Sequence, residues 1–287
     1  KPKNARSKRA LVKREPKVVE NAKTALFIRT VKTSQIVNEA LSDLCQLKKP
    51  HAIHFTKKNE IRPFEDETPL EFLSQKNDAS LFVVGSHSKK RPHNLVLGRM
   101  FDYHLLDMIE LGVERFTSMR DFKVSSYRNC AVGMKPCLIF NGELFDQQEE
   151  YIKLKNMLLD ILAWRWRGEK ADAVHLEGLE HVVVVTAGPK PSVEEMGRIF
   201  LRVYTVHLKK SGTKLPRVEL EEMGPSIDFR IGRTRFAPDE LMKQALRVPA
   251  ELKAKKVKNV ERDELGDQFG RVHMERQDFS KLQTRKM

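Results

Sequence analysis

Two successive rounds of strand and helix, closed by three antiparallel strands, predict an α/β fold. The body is one composite domain over residues 24–235, built of two pseudo-equivalent halves at about 24–130 and 135–235 with mixed and antiparallel sheet. Three observations carry this. Short runs rich in Val, Ile and Phe recur as strands; segments between them carry apolar residues at helical spacing; and the positive charge gathers at the two ends, outside that pattern. A basic arm, residues 1–23, precedes the body, and an extended tail, residues 236–287, follows it.

The elements read in order as follows. Thr24–Val31 is a short buried strand. SQIVNEALSDLCQLKKP is a helix, with Val37, Leu41 and Leu44 on one face and Pro50 just past its end. HAIHFTKKN is a strand, DETPLEFLSQKND a short helix begun near Thr68–Pro69, and Ser80–Gly85 an apolar strand. After the loop SHSKKRPHN, the stretch LVLGRMFDYHLLDMIELGV reads as a long helix. Leu97, Phe101, Leu105 and Met108 stack on one face, Asn94 suits the N-cap and Gly112 the stop. The second round has the strand KPCLIFNG, a helix from Tyr151 with Leu154, Leu158 and Ile161 inward and Gly168 at its end, and the strand HVVVVTAG. RIFLRVYTVHLKKSG, PRVELEEMG and PSIDFRIGR then read as three antiparallel strands. In the last, Ile227, Phe229 and Ile231 share one parity, yet Arg233 and Arg235 fall on that same parity, where a core would reject them. PDELMKQALRVP forms one more helix, at the start of the tail.

The 287 residues carry a formal charge of +14 at a pI near 9.6, which points to a polyanionic partner, nucleic acid before an anionic membrane. Residues 1–23 hold nine Lys/Arg against Glu15 and Glu20, a net of +7; residues 236–287 hold twelve against nine Asp/Glu, a net of +3. The body keeps the remaining +4. Cys45, Cys130 and Cys137 form no CxxC pair, which argues against a disulfide framework and fits a reducing compartment. No apolar run has the ~18 residues that span a bilayer. The amino-terminal KPKNARSKRALVKREPK has no apolar segment of a secretory signal and reads as a basic arm or nuclear address. The chain begins at Lys1 rather than Met, as a piece of a longer protein does.

Catalytic and cofactor motifs are missing. Neither a Walker A loop nor GxGxxG occurs. His51 and His54 sit in a strand-like run, where a spacing of three points them to opposite faces, so zinc is unsupported. Ser86–Lys89 matches SxxK, but the companion SDN and KTG elements of a serine acylase are absent. The reading is therefore a binding protein, not an enzyme, with no metal and no cofactor.

Three sets of cations are candidates for RNA. Lys89, Lys90 and Arg91 stand on the loop between a buried strand and the long helix, a rigid base for gripping phosphate; Ser88 and Asn94 add hydrogen bonds, and the helix starting at Asn94 would favour an anion. Arg230, Arg233 and Arg235 form the second set, with guanidinium forks suited to phosphate and to stacking on unpaired bases. For Arg230 an ion pair to Glu219, Glu221 or Glu222 competes. The arms are the third set: Lys8, Arg9, Lys13 and Arg14 in one, Lys253, Lys255, Lys256 and Lys258 in the other, of a kind that orders on binding. Trp164 and Trp166, interleaved with arginines, read as tryptophans covering the core at a helix end.

RPFEDETPLEFLSQKNDASLFVVGSHSKKRPHNLVLGRMFDYHLLDMIELGV and KKSGTKLPRVELEEMGPSIDFRIGRT closely resemble the Brix-domain family of ribosome assembly factors, and FGRVHMERQDFSKLQTRKM is similar to the same family's tail. The resemblance runs over nearly the whole chain. It implies a fold of two pseudo-equivalent α/β halves that binds RNA without catalysis. It implies action in the nucleolus on the precursor of the large ribosomal subunit, the pre-60S particle, and contact with large-subunit rRNA. It also implies a dedicated partner, the regulator of ribosome synthesis protein, with which such a protein recruits 5S rRNA and the two ribosomal proteins that package it. The family's Gly-Pro-strand-Arg motif falls on Gly224, Pro225, Arg233 and Arg235; members often close this strand with adjacent arginines, whereas Gly232 stands beside Arg233 here. The competing reading is a protein–protein adaptor in the pre-ribosome with little RNA affinity of its own. In the RNA-binding reading an exposed strand edge in the second half accepts the protein partner by strand addition.

Overall fold

The computed structural model describes residues 4–15, 21–122, 131–162, 178–190, 196–213, 215–252, 258–262, 267–272 and 274. The chain divides into two compact units, Lys1–Val18 with Val248–Met287, and Val19–Arg247. In the first unit, Ala5–Arg14 is a helix, α1, a detail that the arm's composition does not signal.

The second unit begins with β1 (Ala25–Thr30), α2 (Gln35–Lys48), β2 (Ala52–Asn59), α3 (Thr68–Asn77), β3 (Leu81–Ser86), β4 (Asn94–Phe101) and β5 (His104–Thr117). It continues with β6 (Cys137–Asn141), α4 (Leu144–Gln147), α5 (Glu149–Leu162), β7 (His181–Ala187), β8 (Arg198–Lys209), β9 (Arg217–Glu222), β10 (Ser226–Arg235) and α6 (Asp239–Ala245). In the first unit two short strands, β11 (Val260–Arg262) and β12 (Gln268–Gly270), pair antiparallel.

One ten-stranded sheet runs through the larger unit in the order β2-β1-β3-β4-β5-β10-β8-β7-β6, with β9 added on β8. β1 pairs parallel with β2 and β3, and β6 pairs parallel with β7; the pairs joining β3 to β7 through β4, β5, β10 and β8 are antiparallel. The two expected halves are thus visible as one pattern used twice. Each has a parallel pair leading into antiparallel strands, and the last strands, β5 and β10, meet antiparallel at the middle of the sheet.

Both faces of the first half are covered. On one, α2 and α5 supply Val37, Leu41, Leu154 and Leu158 to a core with Ala25, Phe27, Leu95 and Leu97. On the other, Leu70 of α3 packs with Leu26, Ile28, Phe82 and Val96. Burial on both sides explains why β1 and β3 read as continuous apolar runs rather than alternating ones. Each such fully buried Leu, Ile or Phe contributes about 1.5–3 kcal/mol. Ser34 caps α2, its hydroxyl accepting from the Val37 amide at 3.3 Å.

The long helix expected over Leu95–Val113 is a correction: the chain there is the β4–β5 hairpin, joined by Asp102 and Tyr103 at φ 53° and 66°. Two consecutive left-handed residues make a tight hairpin turn, but Asp-Tyr lacks the glycine that usually advertises one. Because both faces of the sheet are buried, Leu95, Val96 and Leu97 are all inside, period-two alternation is hidden, and the spacing of Leu97, Phe101, Leu105 and Met108 imitates a helix. Asn94 is therefore a strand residue, not a cap, Gly112 lies inside β5, and no helix N-terminus faces the loop before Asn94.

A polar cluster ties the halves together within the core. Arg99 on β4 holds Asp107 of β5 through two hydrogen bonds, one at 2.8 Å, and reaches Asp160 of α5 at 3.0 Å. Lys23 pairs with the same Asp160, and Lys48, fully buried, donates to the Asp160 carbonyl at 2.7 Å. Burial pushes the Lys48 ammonium down to about 8, against the pull of Asp160.

Candidate nucleic-acid interface

The strand that ends in arginines is reconciled with its core by a bulge. β10 matches Ile231 to Leu111 and then Thr234 to Ile109, so two residues of β10, Gly232 and Arg233, stand against the single Glu110 of β5. The extra residue reverses the parity. Ile227 and Phe229 keep facing the α2–α5 side, while Arg235, matched to Met108, turns to the α3 side. Gly232 makes room at this bend: a Cβ there would lie 3.0 Å from the Glu110 Oε2, and the carboxylate would have to give by a few tenths of an ångström.

Glu110, 4% exposed, organises what gathers there. Its carboxylate accepts from Arg233 at the backbone amide (3.1 Å), at Nε (2.9 Å) and at the guanidinium NH2 (3.2 Å). Arg91 approaches the same group at 3.3 Å, and the Asn94 amide donates to it at 2.8 Å. Burial raises the carboxyl, but the hydrogen bonds and charge of Arg233, with the charge of Arg91, outweigh it and hold Glu110 below the usual range. Arg233 also lies 4.0 Å from the centre of the Phe64 ring, a cation–π contact. Two guanidinium groups therefore share one carboxylate, and both remain about half exposed. The arrangement keeps a surplus of positive charge at the surface in fixed orientation.

Around this pair, Lys89 and Lys90 are exposed on the β3–β4 loop, whose Ser88 hydroxyl accepts from the Arg91 amide at 3.1 Å. His93 closes the loop, 2.8 Å from the Ser34 hydroxyl at the start of α2. Arg230 is exposed on β10; among the described residues it has no ion pair, and β9, which carries Glu219, Glu221 and Glu222, pairs with β8 rather than with β10. Arg235 pairs with Glu67. The structure thus brings Arg91 and Arg233 together and leaves Lys89 and Lys90 beside them. Glu110, the residue that joins them, was missed in the sequence; its signal was a lone carboxylate within the apolar Met108–Leu111 stretch.

Of the arms, Lys8 and Arg9 are exposed on α1, Lys13 and Arg14 belong to the same helix, and Lys258 is exposed in the turn before β11. Lys253, Lys255 and Lys256 lie outside the described residues, as do Trp164 and Trp166. Among the described residues no group of three or more His, Cys, Asp or Glu is placed to hold a metal, and no helix is long and apolar enough to cross a membrane.

Comparison with known proteins sets this geometry in a family. Residues 30–233 match the Brix domain. A Ribosome production factor 2 homolog of Mus musculus is 51% identical over 94% of this chain and 84% of its own length. That of Schizosaccharomyces pombe is 47% identical over 100% of this chain and 89% of its own, and the Ribosome biogenesis protein RPF2 of Saccharomyces cerevisiae is 45% identical over 100% and 83%. These are ribosome assembly factors, not enzymes. With a domain match over most of the chain and relatives of this similarity along nearly all of it, the chain belongs to the Brix-domain family of ribosome biogenesis factors, in its ribosome production factor 2 branch.

Proposed function

We propose that this assembly factor acts by gripping rRNA. The Brix body is the scaffold, the Arg91–Arg233 pair with Lys89, Lys90, Arg230 and Arg235 is the principal contact, and the basic arms add phosphate contacts. The observation that carries this is the sharing of one buried carboxylate by two half-exposed arginines. A protein surface gains nothing in stability from the surplus charge, whereas a polyanion uses it. In this reading the chain recruits 5S rRNA and its packaging ribosomal proteins to the pre-60S particle in the nucleolus, contacts large-subunit rRNA, and does so with the regulator of ribosome synthesis protein as partner.

A specific observation bears on the protein partner. β9 pairs with β8 alone, and Leu208, Val218 and Leu220 of this ribbon are exposed. An unpaired edge with apolar side chains suits addition of a strand from another chain. If that contact were the whole function, the chain would be an adaptor with little RNA affinity.

The deciding experiment is binding of the full chain to 5S rRNA across a salt series, wild type against Lys89→Ala/Lys90→Ala/Arg91→Ala. Each phosphate contact contributes about 0.7–0.9 to the log–log slope, so the triple variant should flatten it by about 2–3. An unchanged slope removes this loop from the interface. Failure of the wild type to bind without its protein partner favours the adaptor.

A further inference from the structure

The carboxyl ends of the parallel strands β1, β2 and β3 open on a crevice of about 430 Å³ beside Arg91 and Arg233. Open α/β sheets bind ligands at this place, outside the carboxyl ends of parallel strands, and a volume of roughly 300–1,000 Å³ is that of small-ligand pockets. Ile61, Phe64 and Val96 give the crevice an apolar lining, and Arg62, Arg91 and Arg233 stand among its cations. With Lys32 there are four cations against Glu60, Glu65 and the Glu110 behind them, and Glu65 is already taken by Arg62 at 2.9 Å. One positive charge is left over at the mouth of an apolar slot.

From this, and resting on the RNA-binding reading above, we infer that the crevice receives one unpaired nucleotide of the bound RNA. Its base lies against the apolar lining and its phosphate on Arg91 and Arg233. Proteins read RNA chiefly at unpaired bases, which stack on aromatic rings or on guanidinium planes. Here the Arg233 guanidinium is already seated over Phe64 and locked by Glu110, so its outward N–H groups are positioned before the ligand arrives. Asn59 and Ser88 line the same crevice and offer hydrogen bonds to a base edge. A paired base within a helix cannot enter a slot of this size, and the exposed Lys89, Lys90 and Arg230 outside it suit the flanking backbone. An acidic peptide would use the cations and leave the apolar lining unused.

The test is a competition assay on the full chain with labelled 5S rRNA, using single-stranded and fully paired RNA of equal length as competitors. The wild type should prefer the single strand by about tenfold, the scale of one stacked base. Val31→Trp fills the crevice from a lining position that is 51% exposed and belongs to neither core, so the fold is kept. It should abolish the preference and leave the salt slope unchanged. Phe64→Leu, which keeps an apolar lining without the ring, should lose about as much. Equal competition by duplex, or a Val31→Trp variant that behaves as wild type while the salt slope stays steep, overturns the crevice and leaves the RNA reading intact. No binding of either RNA by the wild type overturns both.

Discussion

The β4–β5 hairpin carries an arginine–carboxylate cluster on each of its faces, and the two differ in one respect: what is allowed to reach them. On the α2–α5 face, Arg99 lies between Asp107 and Asp160, with the arginine and Asp160 13% exposed and Asp107 not at all. On the α3 face, Arg91 and Arg233 share Glu110 and are 45% and 43% exposed. In the sealed cluster Arg99 and Lys23 answer two carboxylates, and a third cation, Lys48, is fully buried, its ammonium pushed down to about 8 by burial and donating to the Asp160 carbonyl. The open cluster has more arginine than carboxylate. Inside, where an unpaired charge costs several kcal/mol, Arg99 and Lys48 are closed in by protein oxygens; outside, Arg91 and Arg233 keep close to half of their surface open. The comparison separates charge that holds the fold from charge that meets a ligand.

The largest effect should come from breaking the sealed side. Arg99→Ala leaves Asp107 and Asp160 buried without their guanidinium, and loss of one member of a buried pair costs about 3–5 kcal/mol. Urea unfolding should show that loss, with the midpoint falling far more than for Arg233→Ala. Equal losses for the two variants would mean that the sealed and open clusters are the same kind of site.

Glu110→Gln should do less to stability and more to pH dependence. It weakens hydrogen bonds to charged groups, each worth about 1.5–3 kcal/mol. The folded carboxyl sits below its ordinary value, so its contribution is present above the unfolded pKa and is lost as pH falls through the folded one. The stability gap between wild type and Glu110→Gln should therefore be full near neutrality and close on acidification below about 4. A gap that stays constant down to pH 2 would show that the carboxylate's charge is not what holds the two arginines.

Much of this was legible in the sequence, and the reasons for the rest are physical. β1, β3 and β7 could be read because buried strands are apolar runs, and α2 and α5 because their inward residues repeat at helical spacing. β4 and β5 could not, because a hairpin buried on both faces loses the alternation that marks a strand, and Asp102–Tyr103 is an uncommon pair for its turn. The cations of the loop were visible as charge. Their organiser was not: Glu110 meets Arg233 across 123 positions, and only the bulge at Gly232 brings them together. Arg233 and Arg235 on the apolar parity were the trace of that bulge in the sequence.

The smallest and most selective change is Gly232→Ala. Gly232 does not have a left-handed backbone, so alanine fits the chain itself, but its Cβ would sit 3.0 Å from Oε2 and 3.1 Å from Cγ of Glu110. The carboxylate must give way by a few tenths of an ångström, and stability should fall by no more than about 1 kcal/mol. The shift is transmitted to the Arg233 fork, whose donors are set by that carboxylate, so the salt slope for RNA should drop by up to about 0.9, the equivalent of one phosphate contact. A near-neutral stability change with a flatter slope would mean that the open cluster is tuned for its ligand, not for the fold. A loss of stability approaching that of Arg99→Ala, with the slope unchanged, would put Glu110 and its arginines among the parts that merely hold the sheet together.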